Sequence, residues 1–222
     1  MPIKPDREYR SLTLAPSDDE NKIVEGDFST YDSPYLLYSY NEPGYRLEVW
    51  EQVKRGAFDE TDISDVIMQY DHQGRVFARK TNNTLELEFS ETPHMRAQLG
   101  GTEIGRQLYE EIKGGYTNKM SFGFTVAQDK RDRTEERKED GSVTYKVLRT
   151  IEKVGKLYDV SAVSLPANDQ TSISARAYAD GVSDEVSKEI REAIAKEQEI
   201  KREEARKRLE LKFKLSGGQT ND

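Results

Sequence analysis

Short segments that mix β-branched or aromatic residues with polar ones, each closed by turn residues, constrain this chain more than any other feature. They fall at 9–14, 22–28, 45–53, 65–70, 75–78 and 85–89. Starts about ten residues apart are the spacing of a β-sandwich or barrel. Leu85-Glu86-Leu87-Glu88-Phe89 alternates strictly, which predicts a strand with one buried face. Further strands are expected at 119–126, 143–151 and 158–165, the last ended by Pro166. Between 128 and 139 charge dominates, and a mobile loop is expected before the Asp140-Gly141 turn.

One helix interrupts the strands. Thr102 is the N-cap candidate, Ile104, Leu108 and Ile112 recur every four residues, and Gly114-Gly115 supplies the stop. A second helical stretch of different texture follows from Ser183 to about Leu215. Glu192/Lys196 and Glu197/Lys201 are spaced for mutual support along a helix. Val186, Ile190, Ala193, Ile194 and Ile200 form only a sparse apolar stripe, so a mostly solvated helix is expected, with a coiled coil as the alternative. Ten basic and ten acidic residues follow Val182, which leaves the whole net charge of −8 in the first part. The predicted organisation is therefore a domain over 1–182 and a charged helical tail over 183–222.

Composition narrows the function. A 34% hydrophobic, 34% charged chain has no run of about 18 apolar residues, so no membrane span is expected. The opening Met1-Pro2-Ile3-Lys4 lacks the apolar stretch of a secretory signal. Net acidity argues against a general nucleic-acid binder. With no cysteine and two histidines, neither a thiolate centre nor a multi-histidine metal site can be built, and no cofactor is implied.

Any chemistry that needs an imidazole must use His72 or His94. His72 lies between the run Met68-Gln69-Tyr70 and a Gly74 turn, so it is expected at a strand end, where a rigid element can position it. In Met120-Ser121-Phe122-Gly123-Phe124, alternation puts Ser121 and Gly123 on one face, leaving an open patch that a substrate backbone can approach; packing under another element is the plain alternative. In the strand Tyr158-Asp159-Val160-Ser161-Ala162-Val163, Asp159 can orient a histidine or be a solvated strand end. Serine hydrolysis needs a nucleophile, a base and a group that holds the base in its tautomer. Spacing alone does not bring the three together.

Taken in order, these segments resemble the prohead (procapsid) maturation proteases of tailed bacteriophages, a serine peptidase family similar to herpesvirus assemblin. The likeness runs from Arg7-Glu8-Tyr9-Arg10 through Glu48 and Gly56-Ala57-Phe58, the His72 segment with Gly74-Arg75, and the Ser121 segment. It closes on Leu157-Tyr158-Asp159-Val160-Ser161-Ala162-Val163-Ser164-Leu165-Pro166-Ala167-Asn168. The resemblance implies Ser121 as nucleophile and His72 as general base. Asp159 is the candidate third member, at a position where many relatives carry Glu, and is merely structural if the third group is not a carboxylate, as in an assemblin-like arrangement. His94 falls outside the motifs and reads as surface or loop.

The fold implied is mainly β with flanking helices: an antiparallel barrel of the assemblin type. The activity implied is cleavage of scaffolding protein, of the scaffold-like segment of the major capsid protein, and of the protease itself, inside the procapsid in the bacterial host cytoplasm. A homo-oligomer stays open. The competing reading is a non-catalytic assembly factor on a degenerate protease domain. A small-ester hydrolase is disfavoured because Lys119-Met120 precede Ser121 where a Gly-x-Ser-x-Gly elbow needs glycine.

Overall fold

The computed structural model describes residues 8–42, 44–139, 142–164 and 173–215. Nine shorter strands come first: β1 (Glu8–Thr13), β2 (Ala15–Asp18), β3 (Ile23–Asp27), β4 (Tyr35–Glu42), β5 (Tyr45–Val53), β6 (Ile67–Tyr70), β7 (Gln73–Arg79), β8 (Leu85–Glu88) and β9 (His94–Gln98). Helix α1 (Glu103–Lys113) leads into two long strands, β10 (Lys119–Arg137) and β11 (Val143–Val163), and helix α2 covers Ile173–Leu215. Contacts divide the chain into two compact units, Met1–Ala179 and Asp180–Asp222.

The chain is mainly β with a C-terminal helix. The expected closed antiparallel barrel is not found. Among the described residues the strands form two open sheets: β1-β10-β11-β5-β4 with β6 and β7 joined through β11, and β2-β3-β9-β8. Two pairings on β11 are parallel, to β5 along Val143–Ile151 and to β6 at Asp159 and Ala162. The reason lies in strand length. β11 has 21 residues, so one edge accommodates two shorter strands end to end. Register shifts between Gly123 and Asp129 break the β10–β11 ladder, and such bulges bend the ribbon.

The charged stretch expected as a loop is the outer half of β10. Asp129 to Arg137 pair with β11 residue by residue. The backbone ladder needs no apolar side chain on β10, since β11 supplies the buried ones, Tyr145, Val147 and Ile151. Charges here satisfy one another along and across the ribbon, as in Lys130–Asp132 at 2.9 Å and Lys146–Glu136 at 2.8 Å.

An ionic cluster ties β1 to β5 and β11, strands with which it shares no ladder. Arg10 on β1 grips Glu51 on β5 through two bonds of 2.6 Å. Arg149 on β11 reaches the same Glu51 at 3.1 Å and Glu8 at 2.7 and 3.0 Å. Burial alone would raise the Glu51 carboxyl, but the charges of Arg10 and Arg149 and the bonds they donate outweigh it and hold its pKa below the ordinary carboxylate range.

Helix α1 forms where its caps predict. Thr102 Oγ1 accepts the Gly105 N–H at 3.0 Å, and the Gly114 N–H returns to Glu110 O at 2.8 Å. Leu108, Tyr109 and Ile112 are buried, while Ile104 is only half buried. A Cβ on Gly105 would lie 2.2 Å from Leu99 O, so only glycine lets this turn approach the end of β9. One apolar cluster runs through both sheets and α1. Within it Phe28 meets Phe58 and Phe89 edge-on at 5.9 Å and Phe122 at 5.5 Å.

The tail is helical, as expected, but α2 begins at Ile173, ten residues before the predicted start. From Arg191 onward its described side chains are all exposed, including Ile200, Leu209 and Phe213. Ile190, one residue of the expected apolar stripe, is buried.

Candidate active site

The strands β6 and β7 form a hairpin whose two-residue tip is Asp71-His72, with Tyr70 paired to Gln73. Tight two-residue turns need positive φ at both central positions, because that twist matches the flanking strands. Asp71 has φ 49° and His72 φ 57°, followed by Gly74 at φ 76°. Asp and His are among the side chains that enter this region most readily. Local sequence therefore puts His72 at the hairpin tip, one step beyond the strand end expected for it.

At that tip His72 Nδ1 hydrogen-bonds Asp159 Oδ1 on β11. Ser161 Oγ donates to the same oxygen at 2.7 Å and itself accepts the Gln69 N–H at 3.3 Å. This chain of contacts binds β6, the tip and β11 into one polar unit. Asp159 is 2% exposed, which removes the solvated-strand-end alternative.

Ser121 lies on β10 directly opposite Ser161, and Gly123 opposite Asp159. Cross-strand partners project to the same face, so Ser121 shares a face with the carboxylate that holds His72. Met120, Phe122, Val160 and Ala162 occupy the opposite face and belong to the core. The open patch expected at Ser121 and Gly123 is absent: both residues are buried, Ser121 to 1% exposure. Ser121 Oγ has no hydrogen-bond partner among the described residues. The structure thus joins His72 to Asp159 and sets Ser121 on their face, but draws no hydrogen bond from Ser121 to His72. Hydroxyl–imidazole contacts of this kind often tighten only when substrate is bound.

Two features escaped the sequence reading. Ser161 was visible only as a face-mate of Asp159; its position two residues along the strand was the available signal. The second is a cavity of about 480 Å³ between β7 and α1. Tyr70 and Gln73, which flank the tip, line it together with Arg75, Phe77, Ile104 and Gln107. His94, expected on the surface or in a loop, opens strand β9 and pairs with Asp27 Oδ1 at 2.8 Å, partly exposed. No group of three metal-ligating side chains is gathered among the described residues. The end of the last motif, 165–168, lies outside the described residues.

With this geometry in view, the family model of the caudovirus prohead serine proteases matches residues 9–184. The match spans most of the chain, and the protein belongs to that family. The solved capsid assembly protease of bacteriophage T4 is similar at a TM-score of 0.34 and 12% identity, over 71% of this chain and 98% of that one. No curated protein matches the chain.

Proposed function

We propose that this protein is a serine endopeptidase of procapsid maturation, with Ser121 as nucleophile, His72 as general base and Asp159 as the group that orients His72. The observation that carries the reading is the buried His72–Asp159–Ser161 hydrogen-bond chain on the face that bears Ser121, within the stretch matched to the family. Asp159 occupies Nδ1 and so leaves Nε2 to take a proton. Ser121 Oγ attacks the scissile carbonyl as His72 Nε2 accepts its proton. The imidazolium then protonates the departing amine, and water, activated by the same nitrogen, releases the acyl group and restores Ser121.

The substrates we assign are the scaffolding protein, the scaffold-like segment of the major capsid protein, and this chain itself, inside the procapsid in the host cytoplasm. The cavity between β7 and α1, lined by the tip-flanking Tyr70 and Gln73, suits a side chain of an extended peptide. The helix over 183–215 is a packaging segment, removed by self-cleavage near its junction with the protease domain over 1–182. Purified wild type and Ser121→Ala are to be incubated with scaffolding protein. Cleavage by wild type alone is expected, together with a shortened wild-type chain by mass spectrometry. Undiminished cleavage by Ser121→Ala would falsify the assignment of the nucleophile, and an intact tail in active enzyme removes the self-cleavage claim.

A further inference from the structure

We infer that Asp71 and Ser164 form a clamp that holds the His72 hairpin tip against β11, which makes Asp71 a positioning residue for the base. The inference rests on the reading of His72 as that base, but its geometry stands apart from it. Asp71 N–H donates to Ala162 O at 2.8 Å. Its carboxylate accepts the Ser164 N–H at Oδ1, 2.9 Å, and the Ser164 hydroxyl at Oδ2, 2.9 Å. All three contacts land at the end of the strand that carries Asp159 and Ser161.

The clamp answers a mechanical need. β6 has four residues and meets β11 at only two register positions, Asp159 to Ile67 and Ala162 to Tyr70. Beyond Tyr70 no ladder ties the tip to β11, yet the direction of His72 Cβ is set by the tip's backbone. Positive φ at two successive non-glycine residues carries a conformational cost even where a hairpin turn favours it, and contacts around the turn offset that cost. Asp71 supplies such contacts from the residue adjacent to His72. Base and orienting carboxylate are thereby referenced to one strand, so tip and β11 move together. Sub-ångström placement of this kind is what efficient proton transfer needs.

Three substitutions separate the clamp from its alternatives. Asp71→Gly keeps the left-handed turn but removes the acceptor oxygens. Asp71→Asn keeps an acceptor and tolerates the turn, but removes the charge. Ser164→Ala removes the hydroxyl and leaves the backbone donor. Peptide cleavage across pH is measured for each. In a Ser121→Ala background, the NMR resonance of the His72 Nδ1 proton reports the Asp159 contact without any need for activity.

The expected result is a fall in kcat of about 10²-fold for Asp71→Gly, with KM little changed and the Nδ1 proton resonance broadened. Asp71→Asn should retain most activity, an unmoved acidic limb and a sharp resonance. Ser164→Ala should show a smaller loss in the same direction, and it decides the matter if Asp71→Gly does not fold. Wild-type kcat and a sharp resonance in Asp71→Gly would overturn the clamp, since turn conformation alone would then suffice. Asp71→Asn as impaired as Asp71→Gly, with a shifted pH limb, would overturn it in favour of a purely electrostatic effect. If wild type cleaves nothing while the resonance responds as expected, the clamp stands and the protease reading falls.

Discussion

His72 and His94 each present Nδ1 to an aspartate, and the two pairs differ in nearly everything else. His94 bonds Asp27 at 2.8 Å on the β3–β9 sheet, with side chains 33% and 48% exposed. Asp27 also accepts from Thr92 Oγ1 at 3.1 Å. Water competes for that pair, so its contact carries little energy and little orientation. His72 and Asp159 are each 3% exposed at the side chain. Their carboxylate is fixed by Ser161, and a serine with no hydrogen-bond partner among the described residues stands on the same face. A histidine–aspartate contact therefore does not define a site by itself. Burial and an unpartnered serine hydroxyl on the same face separate the two.

The sharpest way to break this comparison is to remove each imidazole. His72→Ala should lower kcat by about 10⁴-fold or more, as loss of a triad member does, whereas His94→Ala should leave peptide cleavage unchanged. Kinetics with the opposite ranking would dissolve the distinction.

The carboxylates come next. Asp159→Asn should cost about 10⁴-fold in kcat by favouring the wrong tautomer, with the thermal transition little moved. Asp159→Glu should recover part of the activity, and Asp27→Asn should be silent. Equal, small effects at Asp159 and Asp27 would place Asp159 outside the mechanism.

A buried carboxylate remote from either histidine tests whether burial alone makes a residue critical to turnover. Glu51 is fully buried between Arg10 and Arg149. Glu51→Gln should destabilise the fold in urea titrations, by less than the roughly 3–5 kcal/mol of a wholly unpaired buried charge, because Glu8 still pairs with both arginines and Asp129 with Arg149. Turnover per folded molecule should stay near wild type. The folded-state pKa of Glu51 lies below its unfolded value. Its stabilisation is thus complete above the unfolded carboxylate pKa of about 4.3 and is lost as pH falls through the lower folded value. Stability of Glu51→Gln should accordingly decline less steeply than wild type in that acid window. A parallel decline would assign the acid sensitivity to other groups.

The smallest effect concerns the orienting hydroxyls. Ser161→Ala should reduce kcat about tenfold by removing one hydrogen bond of about 1.5 kcal/mol to a charged acceptor, while Thr92→Ala beside Asp27 does nothing measurable. No loss at Ser161 would leave the fixing of Asp159 to backbone packing alone.

How much of this was legible depended on how local the cause was. Helix α1 was readable from end to end, because its caps and its four-residue periodicity lie within one short segment. The strand at Tyr45–Val53 was readable too, since alternate residues are buried along its length. The charged half of β10 was misread as a loop because its own side chains carry no strand signal; the cause is the apolar register of β11. Strands β2, β4 and β9 were missed where polar residues and tyrosines blurred the alternation.

The sequence by itself determined the mainly β class, the helix with its caps, the charged character of the tail, and the motifs that single out His72 and Ser121. Only the tertiary structure decided that β11 is shared by two parallel neighbours, that the sheets stay open, and that Asp159, 87 residues from His72, meets it beneath a buried surface. The physical reason is the range of the forces involved. Capping and alternation are written in neighbouring residues, whereas the His72–Asp159 contact depends on how the intervening strands and helix pack. Closing so long a span depends only weakly on its length and leaves no local pattern to read.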